Sequence, residues 1–163
     1  MFSDDLIQEV TDILEKCRSN GLKLATAESC TGGLISALLT EIAGSSDVFD
    51  RGFVTYSNGA KTDLLQVSPD TLARHGAVSE PTAREMARGA LKNSGASVAI
   101  AVTGIAGPGG GSATRPVGLV HIAGLNKAGT DYHEACQFGD IGRGPVRQAT
   151  VRQALHIINK LIQ

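Results

Sequence analysis

The stretch "VAIAV", Val98 to Val102, is five apolar residues in a row, and it runs straight into "TGIAGPGGG", residues 103–111. A strand with one wet face alternates apolar and polar residues. An unbroken run of strand length, rich in β-branched residues and closed by a glycine cluster, reads as a strand covered on both sides. Covering both sides of a sheet takes helices, so this run sets the fold class: an α/β domain in layers.

The segments on either side agree. Upstream, Ser79 stands as an N-cap before a stripe of Ala83, Met86, Ala87, Ala90 and Leu91, and Asn93 to Gly95 ends that helix. Ser68-Pro69 opens a shorter helix that Gly76 closes after His75. Phe53 to Tyr56 has strand character. Further back, residues 22–27 form a strand, residues 31–42 a helix, and Gly44-Ser45-Ser46 a loop. At the start, Ser3 precedes two aspartates, and Leu6, Val10, Ile13, Leu14 and Cys17 recur at helical spacing up to Asn20-Gly21. Downstream, Val117 to Leu125 and Tyr132 to Phe138 read as two strands joined by a turn at residues 126–130. Residues 145–161 read as a final helix. The expectation is one three-layer α/β/α domain over residues 1–163, with a mixed, mainly parallel sheet.

Bulk composition narrows the function classes. The 163 residues are 42% hydrophobic and 19% charged, with a formal net charge of -1 and 4% aromatic residues. A protein that binds nucleic acid through the phosphate backbone wants a basic face and stacking rings, and the near-neutral charge and low aromatic content speak against both. No basic start leads into an apolar signal core and no apolar run approaches the roughly 20 residues of a membrane span, so the cytoplasm is the expected location. Cys17, Cys30 and Cys136 are an odd set without metal-ligand spacing, and the four histidines are scattered. Neither a disulfide framework nor a metal centre is expected.

Four stretches carry more chemistry than a connection needs. In "AESCTGG", residues 27–33, Ser29 lies where a strand gives way to a helix, and ligands of α/β sheets bind at such junctions. The amides of Cys30, Thr31 and Gly32 there can receive an oxyanion or a phosphate, although Ser29 or Thr31 serves equally well as an ordinary N-cap. In "VTYSNGAK", residues 54–61, Lys61 follows a strand end by a few residues, beside Tyr56. A lysine in a low-dielectric pocket loses basicity and can act as base for a serine, and a solvated lysine is the plainer reading. Residues 103–118 hold six glycines and two prolines, with Thr103 and Gly104 at the end of the buried strand. The Gly-Lys-Ser/Thr ending of a P-loop is missing. In "FGDIGRGPVRQ", residues 138–148, Arg143 and Arg147 sit at a glycine-punctuated helix start. Arginine there suits a phosphate or carboxylate, and for Arg147 a surface position is as good an account. His75, His121, His133 and Cys136 are read as structural.

Taken in order, "TAESCTGG", "GSS", "GFVTYSNGAK", "HGAVSE", "TGIAGPGGG", "RPVG" and "FGDIGRGPVR" resemble the competence-damage-inducible protein A C-terminal family, from about Leu6 to Leu161. Enzymatic members of that family are nicotinamide-nucleotide amidases. The resemblance implies a stand-alone domain that hydrolyses the carboxamide of nicotinamide mononucleotide to nicotinate mononucleotide and ammonia, in pyridine nucleotide recycling. It implies a serine and a lysine at work, carried here by Ser29 and Lys61, with Tyr56, Thr103 and Arg143 at polar site positions and Ser46 of the "GSS" loop as a further site residue. No metal or other cofactor is implied. Three places depart from the family pattern: Gly59 where a larger, often acidic residue is usual, Arg115 in place of a lysine, and Ile141-Gly142 inserted between Asp140 and Arg143.

Amides are poor electrophiles, so a serine attacking one needs a base. The expected arrangement has neutral Lys61 activating Ser29, the amides after Ser29 receiving the oxyanion, and Tyr56 or Lys61 returning a proton to ammonia. Cys30 is the alternative nucleophile, since a helix start favours a thiolate. The competing class is a binding module that holds a nucleotide in the same glycine-rich pocket without turning it over. A symmetric homodimer or higher homo-oligomer is expected of a small enzyme of this kind.

Overall fold

The computed structural model describes residues 2–163. The chain runs α1 (Asp4–Ser19), β1 (Leu24–Glu28), α2 (Leu34–Thr40), a 3₁₀ turn (Ser45–Asp47), β2 (Phe49–Val54), α3 (Asn58–Leu65) and α4 (Pro69–His75). It continues through α5 (Glu80–Lys92), β3 (Val98–Gly104), β4 (Leu119–Asn126) and β5 (Asp131–Gln137) to α6 (Arg143–Leu161). The strands form one sheet in the order β2-β1-β3-β4-β5. β1 is parallel to both β2 and β3, whereas β4 is antiparallel to β3 and to β5. The sheet is therefore mixed, with its parallel half at β2-β1-β3.

Alternation along the strands builds two cores. Val98, Ile100 and Val102 of β3, with Val120 and Ile122 of β4, pack against α1, α2 and α6. Ala99 and Ala101 of β3, Ala27 of β1 and Ala123 of β4 face α5, whose Ala83, Met86, Ala87 and Ala90 meet them. The second core is built mainly of alanine, which lets α5 lie close to the sheet. Gly89 extends that closeness to α3, because a side chain there would overlap the Leu65 carbonyl. Three layers result, as the uninterrupted apolar run implies. Among the described residues no helix is long and apolar enough to cross a membrane.

α3 has no counterpart among the elements expected from sequence, and two others begin elsewhere than expected. β2 begins at Phe49 rather than Phe53. Its Asp50 and Arg51 look unlike strand residues, yet on an edge strand they find partners: Asp50 accepts from the Gly95 amide at 3.0 Å, and Arg51 donates to the Asn93 carbonyl at 3.1 Å. Gly52 is needed where a side chain would collide with the Ser36 hydroxyl. α2 begins at Leu34 rather than Thr31, because Gly32 and Gly33 take positive φ values of 58° and 97° and hold the chain in a turn.

Candidate active site

The parallel strands end together. The Thr55 amide donates to the Glu28 carbonyl at 2.9 Å and the Ser29 amide to the Val102 carbonyl at 3.0 Å, so the chain segments leaving β1, β2 and β3 are tied at one edge of the sheet. Ser29 follows β1, Lys61 lies on α3 just after β2, and Thr103 closes β3.

Lys61 is the largest of the most fully buried side chains, at 2% exposure. Its Nζ lies 3.0 Å from Ser29 Oγ and donates to the Thr55 carbonyl at 2.8 Å. α3 aims it there because Ser57 caps that helix, accepting from the Ala60 amide at 3.0 Å and fixing the start of the turn that carries Lys61. Among the described residues no carboxylate pairs with this amine. Desolvation lowers its pKa below that of an ordinary lysine. The Thr55 hydroxyl beside it is buried without a hydrogen-bond partner.

Around Ser29 the chain makes a tight turn, the Gly32 amide donating back to the Ser29 carbonyl at 3.0 Å. Of the three amides expected to face a ligand, Gly32 is thus committed to its own turn. Those of Cys30 and Thr31 find no acceptor in another residue among the described residues. The first turn of α2 is committed as well. Glu28, fully buried at the end of β1, accepts from the amides of Gly33, Ile35 and Ser36 at 3.0, 3.0 and 2.8 Å. It also accepts from the hydroxyls of Thr31 and Ser36, both at 2.7 Å. A helix N-terminus that reads as an open anion site from sequence is filled by the protein's own carboxylate. Thr31 accordingly turns its side chain inward to Glu28.

Cys30 is 6% exposed, and burial pushes its thiol up to about 12. A thiol held neutral is a poor nucleophile at physiological pH. Tyr56 is 60% exposed at the rim, and its hydroxyl accepts from Arg143 Nη2 at 2.6 Å. Arg143 Nη1 donates to the Gly107 carbonyl at 2.9 Å, so this guanidinium links the rim tyrosine to the glycine-rich loop. Ile141-Gly142 therefore leaves Arg143 next to the site. Thr103 is buried and donates its hydroxyl to the Ala77 carbonyl at 2.7 Å, tying the end of β3 to the loop before α5. Gly104 lies where a side chain would strike Val120 and the Leu119 carbonyl, which accounts for it by packing between β3 and β4.

Ser46 is not brought to this edge. It is exposed in the 3₁₀ turn, and the neighbouring Val48 carbonyl accepts from the amide of Leu24, the first residue of β1. Within the chain it sits at the other end of the strand from Ser29. Two further residues hold the turn that follows Ser29. Glu28 was detectable as the one ionisable residue closing an otherwise uncharged buried strand. Arg147, which the sequence offers equally to an anion or to the surface, donates from Nη2 to the Thr31 carbonyl at 2.7 Å.

The sequence matches the CinA C-terminal domain over residues 6–162. It is 50% identical, over 96% of its length, to a competence-damage inducible protein of Caldicellulosiruptor bescii, and spans 37% of that longer protein. It is 45% identical over 97% of its length to the nicotinamide-nucleotide amidohydrolase PncC of Escherichia coli K12, and covers 95% of that protein. Among solved structures, the competence/damage inducible protein CihA of Agrobacterium tumefaciens matches with a TM-score of 0.98 and 55% identity, covering 100% of this chain and 99% of that one. A CinA superfamily protein of Escherichia coli matches with a TM-score of 0.90 and 34% identity, covering 99% and 94%. The chain belongs to the CinA C-terminal domain family.

Proposed function

We propose that this protein is a nicotinamide-nucleotide amidase that hydrolyses nicotinamide mononucleotide to nicotinate mononucleotide and ammonia, with Ser29 as nucleophile and Lys61 as its base. The observation that carries the reading is the buried Lys61 amine 3.0 Å from Ser29 Oγ with no carboxylate to hold its charge. The similarity to PncC supports the substrate.

A neutral amine has two N–H donors and one lone pair. With one N–H on the Thr55 carbonyl, the lone pair is free to accept from the Ser29 hydroxyl, which is the arrangement a base requires. As Ser29 Oγ bonds to the carboxamide carbon, its proton passes to Lys61 and the carbonyl oxygen takes up negative charge. The amides of Cys30 and Thr31 are placed to receive that charge. Lys61 then returns the proton to the amide nitrogen, the C–N bond breaks, and ammonia departs. Water attacks the acyl-enzyme by the same route and restores Ser29. The phosphate meets side chains rather than the α2 N-terminus, which Glu28 already occupies. Arg143 spends two of its five N–H donors on Tyr56 and Gly107 and keeps the others for an anion.

The test is ammonia release from nicotinamide mononucleotide by wild type, Ser29→Ala, Lys61→Ala and Cys30→Ala. Release by wild type and Cys30→Ala with loss in the other two is expected. A folded wild type that binds the mononucleotide without releasing ammonia would instead make the site a ligand cradle.

A further inference from the structure

We propose that Arg147 is a positioning residue for this reaction: its guanidinium sets the Ser29–Gly33 turn so that the amides of Cys30 and Thr31 face the acyl oxygen. The inference rests on the serine–lysine reading above.

The turn is clamped from two sides. From within, Glu28 holds the Thr31 hydroxyl and the Gly33 amide. From the α6 side, Arg147 Nη2 holds the Thr31 carbonyl at 2.7 Å. Without Arg147 that carbonyl keeps only the Leu34 amide, at 3.2 Å. The peptide it belongs to is followed by Gly32 and Gly33, whose missing side chains offer little resistance to rotation. That carbonyl shares its peptide plane with the Gly32 amide, which closes the turn on the Ser29 carbonyl at 3.0 Å, so a swing of the carbonyl opens the turn that presents the Cys30 and Thr31 amides.

Arg147 is also costly where it stands. It lies near the N-terminal end of α6, where the helix dipole disfavours a cation, and among the described residues no carboxylate pairs with it. Its Nε is buried with no acceptor. A cation in that environment conflicts with local stability, and such conflicts mark functional positions. The 2.7 Å bond to Thr31 is the one hydrogen bond it makes among the described residues.

The experiment measures kcat and KM for ammonia release from nicotinamide mononucleotide, with thermal midpoints, for wild type, Arg147→Ala and Arg147→Lys, and repeats Arg147→Ala with added ethylguanidinium. Displacing rather than deleting an oxyanion donor is expected to lower kcat about 10- to 100-fold. KM should stay within about twofold, because the change acts on the transition state rather than on ground-state binding. Ethylguanidinium should restore part of kcat, and the midpoint should hold or rise. Should Arg147→Ala fail to fold, Arg147→Lys carries the test with the same expected split. Unchanged kcat, or a raised KM at full kcat, overturns the proposal, the latter by making Arg147 a substrate contact. A wild type that releases no ammonia overturns the amidase reading and this role with it, and is told apart by the wild-type measurement alone.

Discussion

Replacing Glu28 by glutamine changes one atom and tests how the site is held. All five contacts to the carboxylate are donors: Thr31 Oγ1, Gly33 N and Ile35 N on Oε2, and Ser36 N and Oγ on Oε1. A glutamine must point its NH2 at one of these sets. Facing the Oε2 set, it strands two backbone amides, since only the Thr31 hydroxyl can turn to accept. Facing the Oε1 set, it strands the Ser36 amide, while the Ser36 hydroxyl can rotate. The milder choice still leaves one buried N–H unsatisfied, at about 1–3 kcal/mol, and weakens the remaining bonds by removing the charge they were made to. The sum is about 3 kcal/mol. For a domain of this size each kcal/mol moves the thermal midpoint by about 2–4 °C, so Glu28→Gln should melt about 6–12 °C lower. Thermal unfolding followed by circular dichroism, with urea unfolding as a second measure, reads this directly. A loss under about 1 kcal/mol would refute the idea that these donors depend on an ionised acceptor.

Lys61→Met should abolish ammonia release at every pH while holding or raising the midpoint near neutrality, because it removes a buried amine that resists charging. In wild type the folded pKa of Lys61 lies below the unfolded value, so the unfolded chain binds more protons between the two and stability rises with pH across that window. Lys61→Met should flatten that slope in urea titrations, and kcat/KM of wild type should climb on a limb centred below the roughly 10.4 of free lysine. Gly89→Ala places a methyl group on the Leu65 carbonyl and should destabilise the fold by about 1–3 kcal/mol, as overpacking does, seen as a lower urea midpoint at unchanged slope.

The layers were legible because they rest on periodicity. The apolar run at Val98, the stripes of α1 and α5 and the β4–β5 hairpin each declare their period within a few residues. Ser29 and Lys61 were legible as reactive types near strand ends. What sequence could not give was direction and occupancy. Whether Lys61 pointed to water or to Ser29 depended on how β2 lies beside β1, a pairing across more than twenty residues. The start of α2 looked open because nothing local says that Glu28 turns back into it. Arg147 comes from α6, over a hundred residues from the carbonyl it holds, and Ser46 lies at the far end of β1 although its motif is close to Ser29 in sequence. β2 reaches back to Phe49 because Asp50 and Arg51 owe their place to partners outside the strand rather than to their own preference.

The flanking of β1 by β2 and β3 makes the reactive pair a gauge of strand alignment. Ser29 and Lys61 are 32 residues apart and meet only when β1 and β2 pair with Glu28 opposite Val54. A slip of one residue turns every side chain of a strand to the other face, which would carry Glu28 out of the first turn of α2 and move Ser29 away from the amine. A collapsed but misaligned chain can therefore recover helix content and apolar burial while remaining silent in an ammonia assay. Turnover regained after denaturation counts the molecules whose parallel strands have found their proper partners, which spectroscopic signals of secondary structure alone do not.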